Sequence, residues 1–173
     1  MASTLYKGSG KIVSGDFKAV KWTGKTKGGD PVEISFQKAI NLGNIDWTFA
    51  EKDDVVPEIE MTAVYSNTDT ASTSDEEPWQ VEYTQGQNNT ASKSILLGAG
   101  VFSIGGTDVA LTRGGGSFVV EREYREINAD GDRGPVEDRI VMMSSRAKLK
   151  LNMLSFMTRV ADMYPAITAA TTS

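Results

Sequence analysis

Apolar and polar residues alternate with a period of two along most of this chain, which is typical of β-strands that bury one face. Residues 31–36 and 56–65 each carry apolar side chains at alternate positions, with glutamates between them. A strand with this pattern has one face in a core and one face in water. The inward positions predicted in these two strands are Val32, Ile34, Phe36, Ile59, Met61 and Ala63.

The same alternation predicts further strands on either side of these two. Residues 11–22 predict two short strands around a turn at residues 14–16, with a glycine pair at 28–29 closing the segment. Residues 45–49 also alternate, and residues 78–83 predict one strand inside a long polar region. The inward candidates of the first segment are Ile12, Phe17, Val20 and Trp22.

Glycines punctuate the chain from residue 95 onward in a manner typical of β-hairpins. Apolar runs at 101–104, 109–111 and 118–127 are separated by Gly105-Gly106 and by Gly114-Gly115-Gly116. Two more strands are predicted at residues 140–143 and 147–153, after a turn at 128–136.

The strand at residues 118–127 is unusual because apolar ends flank a charged middle on both faces. One face carries Phe118, Val120, Arg122, Tyr124 and Glu126, and the other carries Val119, Glu121, Glu123, Arg125 and Ile127. Charges in the middle of a strand are typical of a subunit seam, where opposite charges pair across chains. The alternative is a long hairpin that protrudes into water.

The remaining segments complete the predicted architecture. Residues 154–164 space apolar side chains as a helix does, and Pro165 ends it. Residues 66–94 form a long polar region around the strand at 78–83, and residues 166–173 form a small-residue tail that is either frayed or lies along a neighbour. We therefore expect one mainly β domain over residues 1–173, a β-sandwich or partial barrel of antiparallel strands with one flanking C-terminal helix.

Composition narrows the functional classes. The chain has 173 residues, of which 39% are hydrophobic, and this suits one domain. It contains no histidine and no cysteine, which removes the commonest general base, thiolate metal sites, cysteine nucleophiles and disulfides. Its net charge of −5 argues against nucleic-acid recognition. We expect no enzyme, no catalytic residues, no cofactor and no metal.

Local motifs add little chemistry. Gly24-Lys25-Thr26 resembles the end of a phosphate-binding loop, but Ala19 stands where that loop needs a glycine. Residues 128–132 place oxygen ligands at alternate positions as a calcium loop does, but Arg139 stands where the loop needs a glutamate. The tryptophans Trp22, Trp47 and Trp79 are interpreted as core or interface anchors rather than as a stacking platform.

No stretch of the chain is apolar enough to predict a membrane span, and residues 1–10 lack the apolar core of a signal peptide. We therefore expect a product of the cytosol that does not enter a membrane.

Residues 98–154 resemble the tube-forming major tail proteins of bacteriophages and, more distantly, the inner-tube subunits of contractile injection systems. The resemblance is carried by turn-and-strand features: Ile104-Gly105-Gly106, Thr112-Arg113-Gly114-Gly115, the charged strand 118–124, Asp130-Gly131 followed by Gly134-Pro135-Val136, and the strand end at 149–154. Residues 31–65 share the likeness. In that family Lys-Gly often follows the Gly-Pro-Val segment, whereas this chain has Glu137-Asp138 at those positions.

The resemblance implies a virion structural protein whose rings, commonly hexameric, stack into a hollow tube that conducts DNA during ejection. Its location would be the virion tail, and the host cytoplasm during assembly. Its partners would be copies of itself and other tail proteins, and DNA would pass through an acidic lumen without specific binding. The expected interface residues are Phe118, Val120, Glu121, Arg122, Glu123, Tyr124, Arg125, Trp79 and Tyr83.

Other functional classes remain open from the sequence. The departure at Glu137-Asp138 leaves room for a terminator, a tube initiator, a capsid decoration subunit or another head or neck protein. A β-sandwich binding module that recognises glycans through its tryptophans is a further alternative. A hydrolase built on paired carboxylates is the third, although the chain offers no pair of positions that sequence can assign.

Overall fold

The computed structural model describes residues 3–47, 55–65, 77–86, 96–127, 136–154 and 159–172. These residues form a mainly antiparallel β structure with one short helix. The elements are β1 (Ser3–Gly8), β2 (Lys18–Thr26), β3 (Pro31–Asn41), β4 (Glu58–Ala63), β5 (Trp79–Tyr83), β6 (Leu96–Ile104), β7 (Thr107–Glu126), β8 (Ile140–Met153), α1 (Val160–Met163) and β9 (Ile167–Thr172).

Six of the strands close into a barrel. The order of pairing is β2, β6, β7, β8, β4 and β3, and the pairing of β3 back to β2 completes the ring. β5 lies outside this ring, on the edge of β3 that also pairs with β4, with Trp79 opposite Phe36. Closure removes the free edges that an open sheet of these strands would expose. The predicted fold class, mainly β with antiparallel strands and a C-terminal helix, is confirmed.

The core inside the barrel consists largely of apolar side chains at the positions that the alternation predicts to face inward. All six inward positions predicted in β3 and β4 are buried, and so are Val20 and Trp22 in β2. Phe102, Leu149, Leu151 and Met153 complete this core from β6 and β8. The two-residue turn Gly105-Gly106 connects β6 to β7 with positive φ at both glycines, as tight hairpins require.

Two local predictions in the first 50 residues are wrong. Residues 11–13 form no strand, and Ile12 is half exposed, because Asp16 caps a 3₁₀ turn at Ser14–Asp16 by accepting a hydrogen bond from the Val13 N–H at 2.8 Å. Residues 45–47 form no strand, and the rest of that predicted strand lies outside the described residues.

The glycines at 114–116 do not separate two strands. β7 is continuous from Thr107 to Glu126, and the glycines form an irregularity where the register with β8 shifts between Thr112 and Gly116. Gly115 adopts φ +91°, which only glycine accepts without strain. The two strands predicted at 140–143 and 147–153 are likewise one strand, β8.

The C-terminal region differs from its prediction in two respects. The helix predicted over residues 154–164 is helical only at Val160–Met163, where both terminal residues of the helix are buried, and residues 155–158 lie outside the described part. The tail predicted to be frayed or to lie along a neighbour instead forms β9, which pairs with β1 of the same chain, Ser3 opposite Thr172.

Candidate functional site: the β7–β8 arm

The hairpin of β7 and β8 extends beyond the barrel. β7 pairs with β6 only between Thr107 and Thr112, and from Gly116 to Glu126 it pairs with β8 alone. β8 in turn pairs with β4 only between Lys148 and Asn152. We call residues 116–126 and 140–147 the arm. Among the described strands, neither outer edge of the arm has a partner.

The root of the arm is anchored by aromatic side chains. The Phe118 ring lies 6.1 Å from that of Phe36 and 5.3 Å from that of Trp79, the latter in an edge-to-face arrangement. Such pairs stabilise beyond the area they bury. Phe118 and Trp79, both expected at an interface, are thus half-buried within their own chain and hold the arm against β3 and β5.

An ion pair reinforces the same root. Glu77, just before β5, accepts hydrogen bonds from Arg122 Nε at 3.1 Å and Nη2 at 3.3 Å, and a further one from Trp79 Nε1. Burial disfavours the charged carboxylate, but the hydrogen bonds from Arg122 and Trp79 outweigh that effect and lower the pKa of Glu77. Glu77 is a residue that sequence reasoning missed, because its partner is distant in the chain.

The division of faces predicted from the sequence holds at the root of the arm. Phe118 and Val120 are half-buried opposite Leu149 and Ala147, whereas Val119 between them is exposed. Farther out the difference disappears, since every residue from Glu121 to Ile127 is exposed on either face. The outer arm is therefore a two-stranded ribbon with both faces open.

Large apolar side chains are exposed on the outer arm. On β8 four consecutive residues are each roughly half exposed, and Tyr124 on β7 is 57% exposed. The four are Ile140, Val141, Met142 and Met143. An exposed apolar cluster of this kind with charged neighbours is typical of a protein–protein contact surface.

Within the described part of the chain, the charged residues of the outer arm form only exposed bonds. Glu121 pairs with Lys148 at 3.2 Å, and the Ser144 hydroxyl donates to Glu123 at 3.3 Å. Arg125 lies opposite Val141 in the strand register. Exposed pairs of this kind contribute little stability, so these side chains keep their capacity to bind other groups.

Tyr83 lies apart from the arm, at the end of β5. It is 40% exposed, and its hydroxyl donates to Asp30 Oδ2 at 3.3 Å. The structure therefore brings Trp79 to the arm root and leaves Tyr83 on a separate part of the surface.

A cavity of about 260 Å³ opens where β6 and β7 separate, and sequence reasoning missed it. Its walls include Trp22, Phe118 and Leu151, and Leu96 and Leu97 on β6 are about half exposed beside it. The cavity exists because the glycines at 114–116 take β7 away from β6. That departure depends on tertiary pairing, which the local pattern did not indicate.

The described residues offer little other chemistry. They contain no cluster of three or more potential metal ligands, and the calcium-like segment 128–132 lies outside them. Trp22 is 4% exposed and donates its indole N–H to Thr112 Oγ1 at 3.3 Å, so its interpretation as a core residue is confirmed. No helix within the described ranges is both long and apolar enough to cross a membrane.

Comparisons with protein-family models, with curated proteins and with solved structures found no match. The function is therefore inferred from the chain's own residues and surface.

Proposed function

We propose that this chain is a structural subunit of a bacteriophage tail, which assembles into rings that stack into the tail tube. The observation that carries the proposal is the arm, an extended hairpin with exposed apolar side chains and two strand edges that lack partners among the described strands. Such a surface is costly for a monomer, and covering it in a ring supplies energy for assembly.

Two further observations support a structural role. The chain lacks histidine and cysteine throughout, which leaves few groups for general acid–base or nucleophilic catalysis. Its net charge of −5 gives an acidic assembly, and acidic walls repel phosphate, so DNA slides through such a tube without adhering. The subunit would act in the virion tail after assembly in the host cytoplasm.

Ring contacts should cover the charged strand at 118–124 and part of the polar region at 66–94. The first is exposed from Glu121 outward. Residues 66–76 and 87–94 lie outside the described residues, so that part of the expected contact stays a prediction.

Negative-stain electron microscopy of the purified chain over a concentration series, with light scattering for mass, tests the proposal. Rings or stacked tubes are expected as concentration rises. A particle that remains a monomer or a dimer at the highest concentration, and that a tail extract does not incorporate into tubes, would contradict it.

The cavity at the arm root favours a second candidate, a virion decoration subunit or other binding module. Its apolar walls would hold a small apolar group, and its volume is near the lower end for ligand sites. This candidate predicts saturable binding of a ligand with no ring at any concentration, the reverse of the result expected for a tube subunit.

A further inference from the structure

The outer edge of β7 is a strand edge whose charge pattern is complementary to itself. Residues 122–126 read Arg, Glu, Tyr, Arg, Glu. Tyr124 is at the centre, and residues at equal distances from it on either side carry opposite charges: Glu123 and Arg125, then Arg122 and Glu126. A strand with this property matches a second copy of itself when the two run antiparallel.

The pairing follows from the geometry of antiparallel strands, in which residues directly opposite each other lie on the same face. With Tyr124 opposite its own copy, Glu123 faces Arg125 and Arg122 faces Glu126. The two-fold axis produces each of these contacts twice, so four pairs of opposite charge form around one pair of tyrosines.

The edge is available for such pairing. From Gly116 to Glu126 the described structure pairs β7 with β8 alone, and all residues from Glu121 to Ile127 are exposed. Arg122 also contacts Tyr124, but its guanidinium carries five N–H donors, so it keeps donors for a second carboxylate after the two hydrogen bonds to Glu77.

We propose that two copies of this chain associate through the outer edges of their β7 strands, antiparallel and centred on Tyr124, into a closed two-fold dimer. The four-stranded sheet that results satisfies the backbone groups on that edge and places opposite charges across the seam. A two-fold contact uses the same surface on both copies and so cannot propagate. The dimer is thus a soluble state distinct from a ring, and it does not depend on the proposed tail function.

A cysteine at the centre of the pairing tests its register directly. The chain has no native cysteine, so Tyr124→Cys introduces a single thiol. Opposed Cα atoms in antiparallel strands lie about 4.5–5.5 Å apart, within the range of a disulfide. We expect mild oxidation to convert Tyr124→Cys to a covalent dimer.

Ile127→Cys is the matched control, because Ile127 directly follows β7, is exposed and takes no part in the proposed charge pairs. In the proposed register its own copy lies six residues away along the strand, about 20 Å, beyond the reach of a disulfide. Equal cross-linking of both variants, or faster cross-linking of Ile127→Cys, would overturn the proposal.

A charge swap tests the energetics without a covalent bond. Glu123→Arg or Arg125→Glu alone places like charges at two symmetric contacts, and sedimentation velocity should show dimer dissociation constants raised about tenfold. The double variant restores opposite charges and should return the constant to that of the unmodified chain. Higher salt should weaken the dimer because these pairs are exposed.

The results separate this proposal from the tail proposal. A chain that is monomeric at low salt overturns the two-fold dimer, whatever larger particles form. A double variant whose dimer dissociation constant is no lower than those of the single variants overturns it as well. Absence of rings and tubes bears on the tail proposal alone, because the dimer is measured at concentrations below those of assembly.

Discussion

Arg122 and Glu77 lie 45 residues apart in the chain, yet the guanidinium donates two hydrogen bonds to the carboxylate at the root of the arm. Glu77 also accepts from Trp79, whose ring packs on Phe118. The same few residues therefore connect the arm, β5 and the barrel. These contacts hold the root of the arm against β5.

Glu77→Gln should make stability less dependent on pH in acid. The pKa of Glu77 in the folded chain is lowered from its ordinary value of 4.5, so its stabilisation is fully present above that value and is lost as pH falls through the lower folded pKa. Urea denaturation at neutral pH should show the variant less stable than the unmodified chain, and the difference should shrink in acid. Glu126→Gln, exposed on the same arm, serves as the control and should leave the free energy of unfolding at neutral pH nearly unchanged.

Phe118→Ala should destabilise the protein by about 2 kcal/mol, because it removes packing against Phe36 and Trp79 from a half-buried site. Val119→Ala, on the opposite and exposed face, should change stability by less than about 0.5 kcal/mol. Chemical denaturation followed by tryptophan fluorescence measures both. Equal losses in the two variants would show that Phe118 does not anchor the arm.

Gly100→Ala should cost about 1–3 kcal/mol through overpacking. A Cβ at this position would lie 2.6 Å from the Thr23 carbonyl oxygen and 2.6 Å from Trp22 Nε1, and the backbone oxygen has little freedom to move. Gly8→Ala is the control, since nothing lies within 4 Å of its added Cβ. Thermal unfolding should separate the two variants, and a stable Gly100→Ala protein would contradict the close packing of Trp22 on β6.

Met142→Asp combined with Met143→Asp should prevent the assembly proposed above and leave the fold intact. Both side chains are about half exposed on the arm, so the charges cost little in the subunit and much in a covered contact. Leu42→Asp introduces a charge at a residue 64% exposed and outside the arm, and it should assemble normally. Electron microscopy, with circular dichroism to check the fold, measures the outcome. Tubes formed by the doubly substituted chain would show that Met142 and Met143 do not lie in the ring contacts.

Several features of the fold could be predicted from alternation alone, and the reason is local. A strand that buries one face needs apolar residues at every second position, so Val32, Ile34 and Phe36 identified both the strand and its inner face. The same logic identified β4 and the two faces of the arm at Phe118 and Val119. Buried Trp22 was predicted for the same reason.

The candidate site was predicted only in part. The charged strand at 118–127 was identified as unusual, and two interpretations were left open, a subunit seam or a protruding hairpin. In the isolated chain the hairpin protrudes. The two proposals differ in how copies of the chain cover this hairpin, in a ring or in a two-fold dimer. The partner Glu77 and the cavity beside Leu96 and Leu97 were not predicted, because both depend on which strands become neighbours.

The class of the fold and the inner face of most strands follow from the residues alone, as does the absence of histidine and cysteine chemistry, because these depend on residue type and on a period of two. The pairing of β3 back to β2, which closes the barrel, the pairing of β9 with β1 and the course of β7 through its glycines became visible in the folded chain. Strand pairing joins residues far apart in the chain through backbone groups that every residue carries, so the local pattern holds no record of which strand meets which.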